Sequence, residues 1–275
     1  MVGLRDLAAA AAIAMFGMGF AIHGSALLAS RVDAQRWVRL ASAQPQQHAG
    51  NGAAAPDAEV SDPALDLQAD AARRLRERIP SELYPYFDVY LYVSKAAAGS
   101  LAQHMYIFRK DAANALVFEQ SFPVSTGRER REKYFTSTPV GLFELDPDRF
   151  EVSHYSRTWH AHMPWAMFLN ATFRGHATGV ALHSAGVHAA DLGSRASGGC
   201  VRLPPEKAAE LFHRFQAEER GMVPVFAYDS LHDRTSADGV PLRDANGRPV
   251  LVPGYRVLLL IENYEGGPAL VAVLS

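Results

Sequence analysis

From Tyr84 onward the chain is a succession of short aromatic and β-branched runs broken by turn residues, and this restricts its fold more than any other feature. Runs at 88–93, 104–108 and 115–125 follow closely on one another, with Gly99 and residues 111–114 marking the turns between them. Further runs at 141–145, 166–169, 180–183, 223–228, 256–262 and 269–274 continue the series. Only one internal segment, 204–219, has helical spacing, with Pro204 and Pro205 at its start and Leu211, Phe212 and Phe215 on one face. Many closely spaced strands with one helix predict a mainly β, sandwich-type domain with few helices.

Composition narrows the class. A length of 275 residues allows one large domain or two small ones, at roughly 100–200 residues per domain. Apolar residues make up 48% and charged residues 20%, which supports a full core and excludes a wholly disordered chain. Lys and Arg number 27 against 29 Asp and Glu, so the chain lacks the basic excess that nucleic acid demands of its main partner. Cys200 is the only cysteine, which excludes an intrachain disulfide and any multi-cysteine metal site.

The N-terminus points out of the cytoplasm. Residues 7–29 carry no formal charge and form an apolar run long enough for a signal-peptide core or a membrane anchor. Ala41-Ser42-Ala43 is a good small-residue cleavage site but lies far from that core, while Arg31, Arg36 and Arg39 follow the run and weaken a cytoplasmic start. Both readings place the protein in the periplasm or cell envelope, touching membrane only through residues 1–29. Residues 30–61, rich in Ala, Gln, Gly and Pro, read as a flexible tether. Asp62-Pro63 then marks a helix start, with Leu65, Ala72, Leu75 and Ile79 at helical spacing and Pro80 as the stop. The expected layout is thus a lead-in helix at 62–83, a catalytic domain at 84–229, and a C-terminal loop with two strands at 230–275.

Cys200 lies in Ser197-Gly198-Gly199-Cys200-Val201-Arg202-Leu203. Glycines before a nucleophile allow positive φ and leave backbone N–H groups to face a substrate oxygen. Arg202 and the following helix N-terminus would favour thiolate. His183 closes the run 180–183, and a loop separates it from Cys200. A Cys–His pair is the minimal unit of thiol acyl transfer; a lone His at a strand end otherwise reads as a hydrogen-bonded structural residue. His154, His160, His162, His176, His183 and His188 together raise a zinc hydrolase as another class, although no HExxH-type motif is present.

These segments resemble the L,D-transpeptidase (YkuD-type) family: a strand-end His183, a loop, then Ser197-x-Gly199-Cys200-Val201-Arg202-Leu203. Pro123-Val124-Ser125-Thr126-Gly127, followed by Thr138-Pro139-Val140-Gly141-Leu142-Phe143, is similar to the family's VSTG…TPxGxF stretch. Met163-Pro164-Trp165 is similar to its MPY segment, and the likeness runs over about residues 88–228 in the family's order. The chain departs from the pattern at Gly198, where the family usually has His, at Trp165, where Tyr is common, and at Ser184, where Gly is frequent.

The resemblance implies a mainly β domain with the Cys in a cleft under a flap, acting on the stem peptides of bacterial peptidoglycan. It makes Cys200 the nucleophile, His183 the base, and the Ser184 carbonyl the orienter of His183. Backbone N–H groups of Gly199 and Cys200 would hold the oxyanion, with Ser197, Arg202 and Trp165 on the substrate side. Cys200 would cut the bond between the third residue's L-centre and the terminal D-alanine, and pass the acyl group to an amine of a second stem. Water as acceptor makes the same site an L,D-carboxypeptidase or amidase; a lysine of an outer-membrane protein makes it an anchoring enzyme. No metal or organic cofactor is required, and carbapenem acylation of Cys200 is expected. A wall-binding module without catalysis is the remaining non-enzymatic reading.

Overall fold

Asp62 opens the first helix by accepting a hydrogen bond from the Ala64 N–H at 2.9 Å, and Pro63 takes a first-turn position where its missing N–H costs nothing. This structure, a computed structural model, describes residues 62–132 and 136–267. The expected export segment, the tether and the expected strand at 269–274 lie outside those residues. No helix among the described residues is long and apolar enough to cross a membrane. Helix α1 (Pro63–Arg78) buries Ala71, Ala72 and Leu75, whereas Leu65, counted with its apolar face from sequence, is 60% exposed. Its basic face is ion-paired: Arg74 bonds Glu262 at 2.9 and 2.7 Å, and Arg73 bonds Glu77 at 2.7 Å.

The central element is one mixed sheet. Its strands are β1 (Val89–Ser94), β2 (His104–Lys110), β3 (Leu116–Pro123), β4 (Gly141–Ser156), β5 (Ala161–Leu169), β6 (Ala181–Ser184), β7 (Val201–Leu203) and β8 (Val257–Glu262). Their spatial order is β7-β6-β5-β4-β8-β1-β2-β3. Two neighbouring pairs, β6–β7 and β1–β8, run parallel, and the rest are antiparallel. Strand β1 is buried throughout and shows the layering: Val89, Leu91 and Val93 face one core, Tyr90 and Tyr92 the other. The second core is closed by α1, Ile79 and Leu83. The first is closed by α2 (Pro205–Glu218), through Ala208, Leu211, Phe212 and Phe215. The mainly β architecture expected from the sequence is the one the chain adopts.

One departure from expectation bears on function. The runs at 141–145 and 166–169 are only the inner ends of a much longer hairpin, β4–β5. Register shifts between Leu145 and Phe150, and the outer arms continue to Ser156 and Ala161 with mostly exposed or half-buried side chains. The tip at 157–160 then reaches the region of Cys200, where Thr158 and Trp159 line the same cavity.

Candidate active site

Parallel pairing of β7 with β6 brings the two sequence-predicted residues to the lining of one recess, while the Cys200 thiol itself donates to the Gly179 carbonyl at 3.9 Å. Val201 lies opposite Leu182, Arg202 opposite His183 and Leu203 opposite Ser184. Leu182, Val201 and Leu203 point into the core under α2. Alternation therefore turns His183, Arg202 and Cys200 to the opposite face. There the wall around Cys200 is Met163, Ala166, Phe168 and Ala181. His183 and Cys200 both line a small recess of about 50 Å³, together with His188 and Arg202.

The state of the pair follows from its surroundings. The Nδ1 atom of His183 lies 2.8 Å from the Ser184 carbonyl oxygen, which can only accept, so Nδ1 carries the proton and Nε2 the lone pair. Burial pushes the imidazole down to about 4, and the Ser184 carbonyl only partly opposes it. Burial also pushes the Cys200 thiol up, outweighing the lowering by the Ala181 backbone and the Arg202 charge. The expectation that Arg202 and the helix N-terminus make a thiolate is thereby corrected: desolvation dominates, and the resting pair is neutral thiol with neutral imidazole. Arg202 is itself committed to Asp191, at 3.5 Å, while its side chain lines the recess.

The glycines and the two threonine motifs build the turn that carries Cys200. Gly199 has φ +127°, a conformation that L side chains rarely adopt, and a Cβ there would lie 3.1 Å from the Ser137 carbonyl oxygen. Thr138 Oγ1 donates to the Gly199 carbonyl at 2.8 Å and accepts from the Gly127 N–H at 2.8 Å. A Cβ at Gly127 would fall 2.1 Å from the Thr136 carbonyl oxygen, which explains glycine there. Ser125 exchanges two backbone hydrogen bonds with Arg202, at 3.0 and 2.8 Å. Buried Lys95 ties the same wall together, donating to Glu129, Ser137 and the Thr138 carbonyl. The VSTG and TP segments thus converge under the Cys200 turn from places distant in sequence.

Three sequence-stated roles change on this geometry. Ser197 is buried, its hydroxyl donating to the Cys200 carbonyl at 2.5 Å and accepting from the Gly199 N–H at 3.1 Å. It is therefore a brace of the turn and has no hydroxyl proton left for substrate. The Gly199 N–H is spent on that brace, so of the two expected oxyanion donors only the Cys200 N–H lacks a hydrogen-bond partner among the described residues. Trp165 faces away from the cleft: it has φ +56°, and its ring packs against Phe212 and His213 of α2 at centroid distances of 5.4 and 5.0 Å. The tryptophan beside Cys200 is Trp159, which lines both the recess and a larger cavity of about 890 Å³. A Cβ at Gly198 would lie 2.8 Å from Trp159 Cε2, so the indole fills the space that a side chain at 198 would take. Trp159 gave no motif in the sequence. Among the described residues, no group of three or more His, Cys, Asp or Glu side chains is placed to hold a metal ion.

A family model of the L,D-transpeptidase catalytic domain matches residues 89–252. Similar solved structures include an L,D-transpeptidase from Stackebrandtia nassauensis, 18% identical with TM-score 0.35, covering 56% of this chain and 62% of that one. Another is an L,D-transpeptidase from Mycobacterium smegmatis, 16% identical with TM-score 0.34, covering 64% of this chain and 58% of that one. A third, from Mycobacterium tuberculosis H37Rv, is 16% identical with TM-score 0.35, covering 64% and 57%. The chain thus spans less than two thirds of the length of these structures. No curated protein matches it. With the catalytic-domain match extending over more than half of its length, the chain belongs to the L,D-transpeptidase (YkuD) family.

Proposed function

We propose that this member of the family is a peptidoglycan L,D-transpeptidase that works through a Cys200 thioester. The observation that supports it most is that His183 and Cys200 line one recess on the same sheet face, with Nδ1 held by the Ser184 carbonyl and Nε2 left as a base. Burial disfavours both thiolate and imidazolium, so charge develops only as the substrate carbonyl is attacked. Cys200 Sγ adds to the carbonyl between the third residue's L-centre and D-alanine, and its proton passes to His183 Nε2. The Cys200 N–H faces the developing oxyanion. His183 returns the proton to the departing D-alanine amine, leaving a thioester. An amine of a second stem attacks this thioester and gives its proton to His183, which passes it back to the sulfur as the new amide forms. Ser184 acts through its carbonyl, by holding one tautomer of His183.

The cross-link between two third-position residues is the product of that sequence. Water in place of the second amine gives an L,D-carboxypeptidase or amidase, and a protein lysine gives anchoring to the wall. Export to the cell envelope is part of the same proposal, supported by the uncharged run at 7–29 and by the location of the substrate. The test is incubation of the detergent-solubilised full chain with diaminopimelate-type disaccharide-tetrapeptide, read by intact-protein and muropeptide mass spectrometry beside Cys200→Ala. Loss of D-alanine with an acyl-enzyme and a dimer, all absent in Cys200→Ala, is the expected result. Tripeptide without dimer moves the acceptor to water. No change in either protein rejects the catalytic reading.

A further inference from the structure

The cavity of about 890 Å³ beside Cys200 has a one-sided charge. Arg149, Arg157 and Arg234 all line it, and among the described residues no Asp or Glu does. These three have no carboxylate partner among the described residues. Arg234 is half-buried, and its Nε is shut off from solvent with no hydrogen-bond acceptor. A buried donor of that kind is costly to leave unpaired. Arg149 is fixed differently: its guanidinium lies 3.6 Å from the centroid of the Phe168 ring, which is part of the wall around Cys200. Arg157 stands exposed on the hairpin tip beside Trp159. Together they place three positive charges around the cavity that Cys200 lines, partly walled by apolar side chains, where opposite charge is attracted more strongly than in bulk water.

We propose that this cavity selects an acyl donor whose stem peptide carries free carboxylates, with Arg149, Arg157 and Arg234 as their counter-charges. The inference rests on the transpeptidase reading for the identity of the donor, and it narrows that reading to free-acid stems over those whose carboxyls are amidated. Planar guanidinium groups match carboxylates by paired, charge-assisted N–H donors, whereas a primary amide offers them only one neutral oxygen. The acceptor amine then approaches by the smaller recess lined by His183 and His188, which shares Trp159 and Cys200 with the cavity.

Two measurements on the full chain test this separately from turnover. The first is calorimetric binding to Cys200→Ala of a disaccharide-tetrapeptide with free carboxyls and of the same molecule with its stem carboxyls amidated. The free acid is expected to bind about tenfold tighter or more, by the strength of charge-assisted pairs. That advantage should shrink between about 50 mM and about 500 mM sodium chloride and disappear in the Arg149→Gln/Arg157→Gln/Arg234→Gln variant. Arg157→Gln alone, at an exposed position, is expected to lose part of the advantage and guards against misfolding of the triple variant. The second is the steady-state split on the Cys200 protein: Arg157→Gln should raise KM for the free acid and leave kcat within about twofold. Equal binding of the two donors, or an advantage that survives in both arginine variants, overturns the proposal. Absence of D-alanine release from both donors would refute the transpeptidase reading, while the binding comparison would still decide the charge selectivity of the cavity.

Discussion

Gly198→Ala tests how the hairpin tip and the Cys200 turn are fitted together. The new Cβ would lie 2.8, 3.0 and 3.1 Å from Cε2, Nε1 and Cζ2 of Trp159. The backbone at 198 is not left-handed, so the cost is steric and falls on the indole alone. Trp159 is 36% exposed and sits at the tip of a hairpin, so the ring can move where a core side chain could not. Overpacking of this kind costs about 1–3 kcal/mol; a ring that swings away instead loses its packing on Gly198 and its contact with Arg128, 5.8 Å from the ring centroid. Either route disfavours the observed packing of the hairpin tip by roughly 5- to 150-fold. Gly198→His, which restores the residue usual in the family, should cost more because its ring must also be placed. The assay is a double-mutant cycle with Trp159→Ala, read by urea unfolding and by the rate of Cys200 alkylation. Gly198→Ala should destabilise or speed alkylation with Trp159 present and be close to silent without it, a coupling of about 1–2 kcal/mol. Equal effects in the two backgrounds would refute the steric account, as would a silent Gly198→Ala in the parent.

Two buried groups set opposing pH dependences. His183 has its imidazole lowered to about 4, so below its ordinary value the unfolded chain takes up a proton that the folded one refuses. Its contribution is complete above about 6.5 and is lost as pH falls toward 4, by about 3 kcal/mol in all; His183→Gln should flatten that slope, and the acid limb of activity should lie near 4. Glu144 is buried on β4, with one carboxyl oxygen unpartnered, and burial raises it to about 8. The folded chain here holds a proton that the unfolded one releases, so stability falls as pH rises from about 4.5 to 8, by about 4–5 kcal/mol. Glu144→Gln should stabilise the protein at pH 8 and remove the decline; urea midpoints that keep the parent's pH slope would show that the carboxyl is not buried as described.

Much of the site was legible because its chemistry is written in short stretches. Glycines before Cys200, a strand-end His183 and the VSTG and TP segments each answer a local demand: positive φ at Gly199, close approach at Gly127, a hydroxyl at Thr138 bridging two backbones. Asp62 and the prolines of α2 announce helix starts for equally local reasons. The outer hairpin arms were not legible. Residues 146–156 and 161–165 are largely polar or half-exposed, so no apolar alternation betrays them as strand.

Facing direction was the harder matter, and β5 shows why. Met163, Ala166 and Phe168 all face Cys200, a step of three residues and then of two. Trp165, with φ +56°, inserts the extra step and sends its own ring to α2. Regular alternation from Met163 would have put that ring beside the thiol. The protonation of Cys200 was hidden for a similar reason: Arg202 is near in sequence, but the desolvation that outweighs it comes from β5 and β6. The sequence by itself marked most of the strands along the chain and singled out a cysteine, a histidine and a glycine turn as candidates, because each depends on the backbone and its nearest neighbours. Only the tertiary structure decided the neutral charge state, the choice of Trp159 over Trp165 and the gathering of three arginines on one cavity, because these depend on which faces meet across strands far apart in the chain.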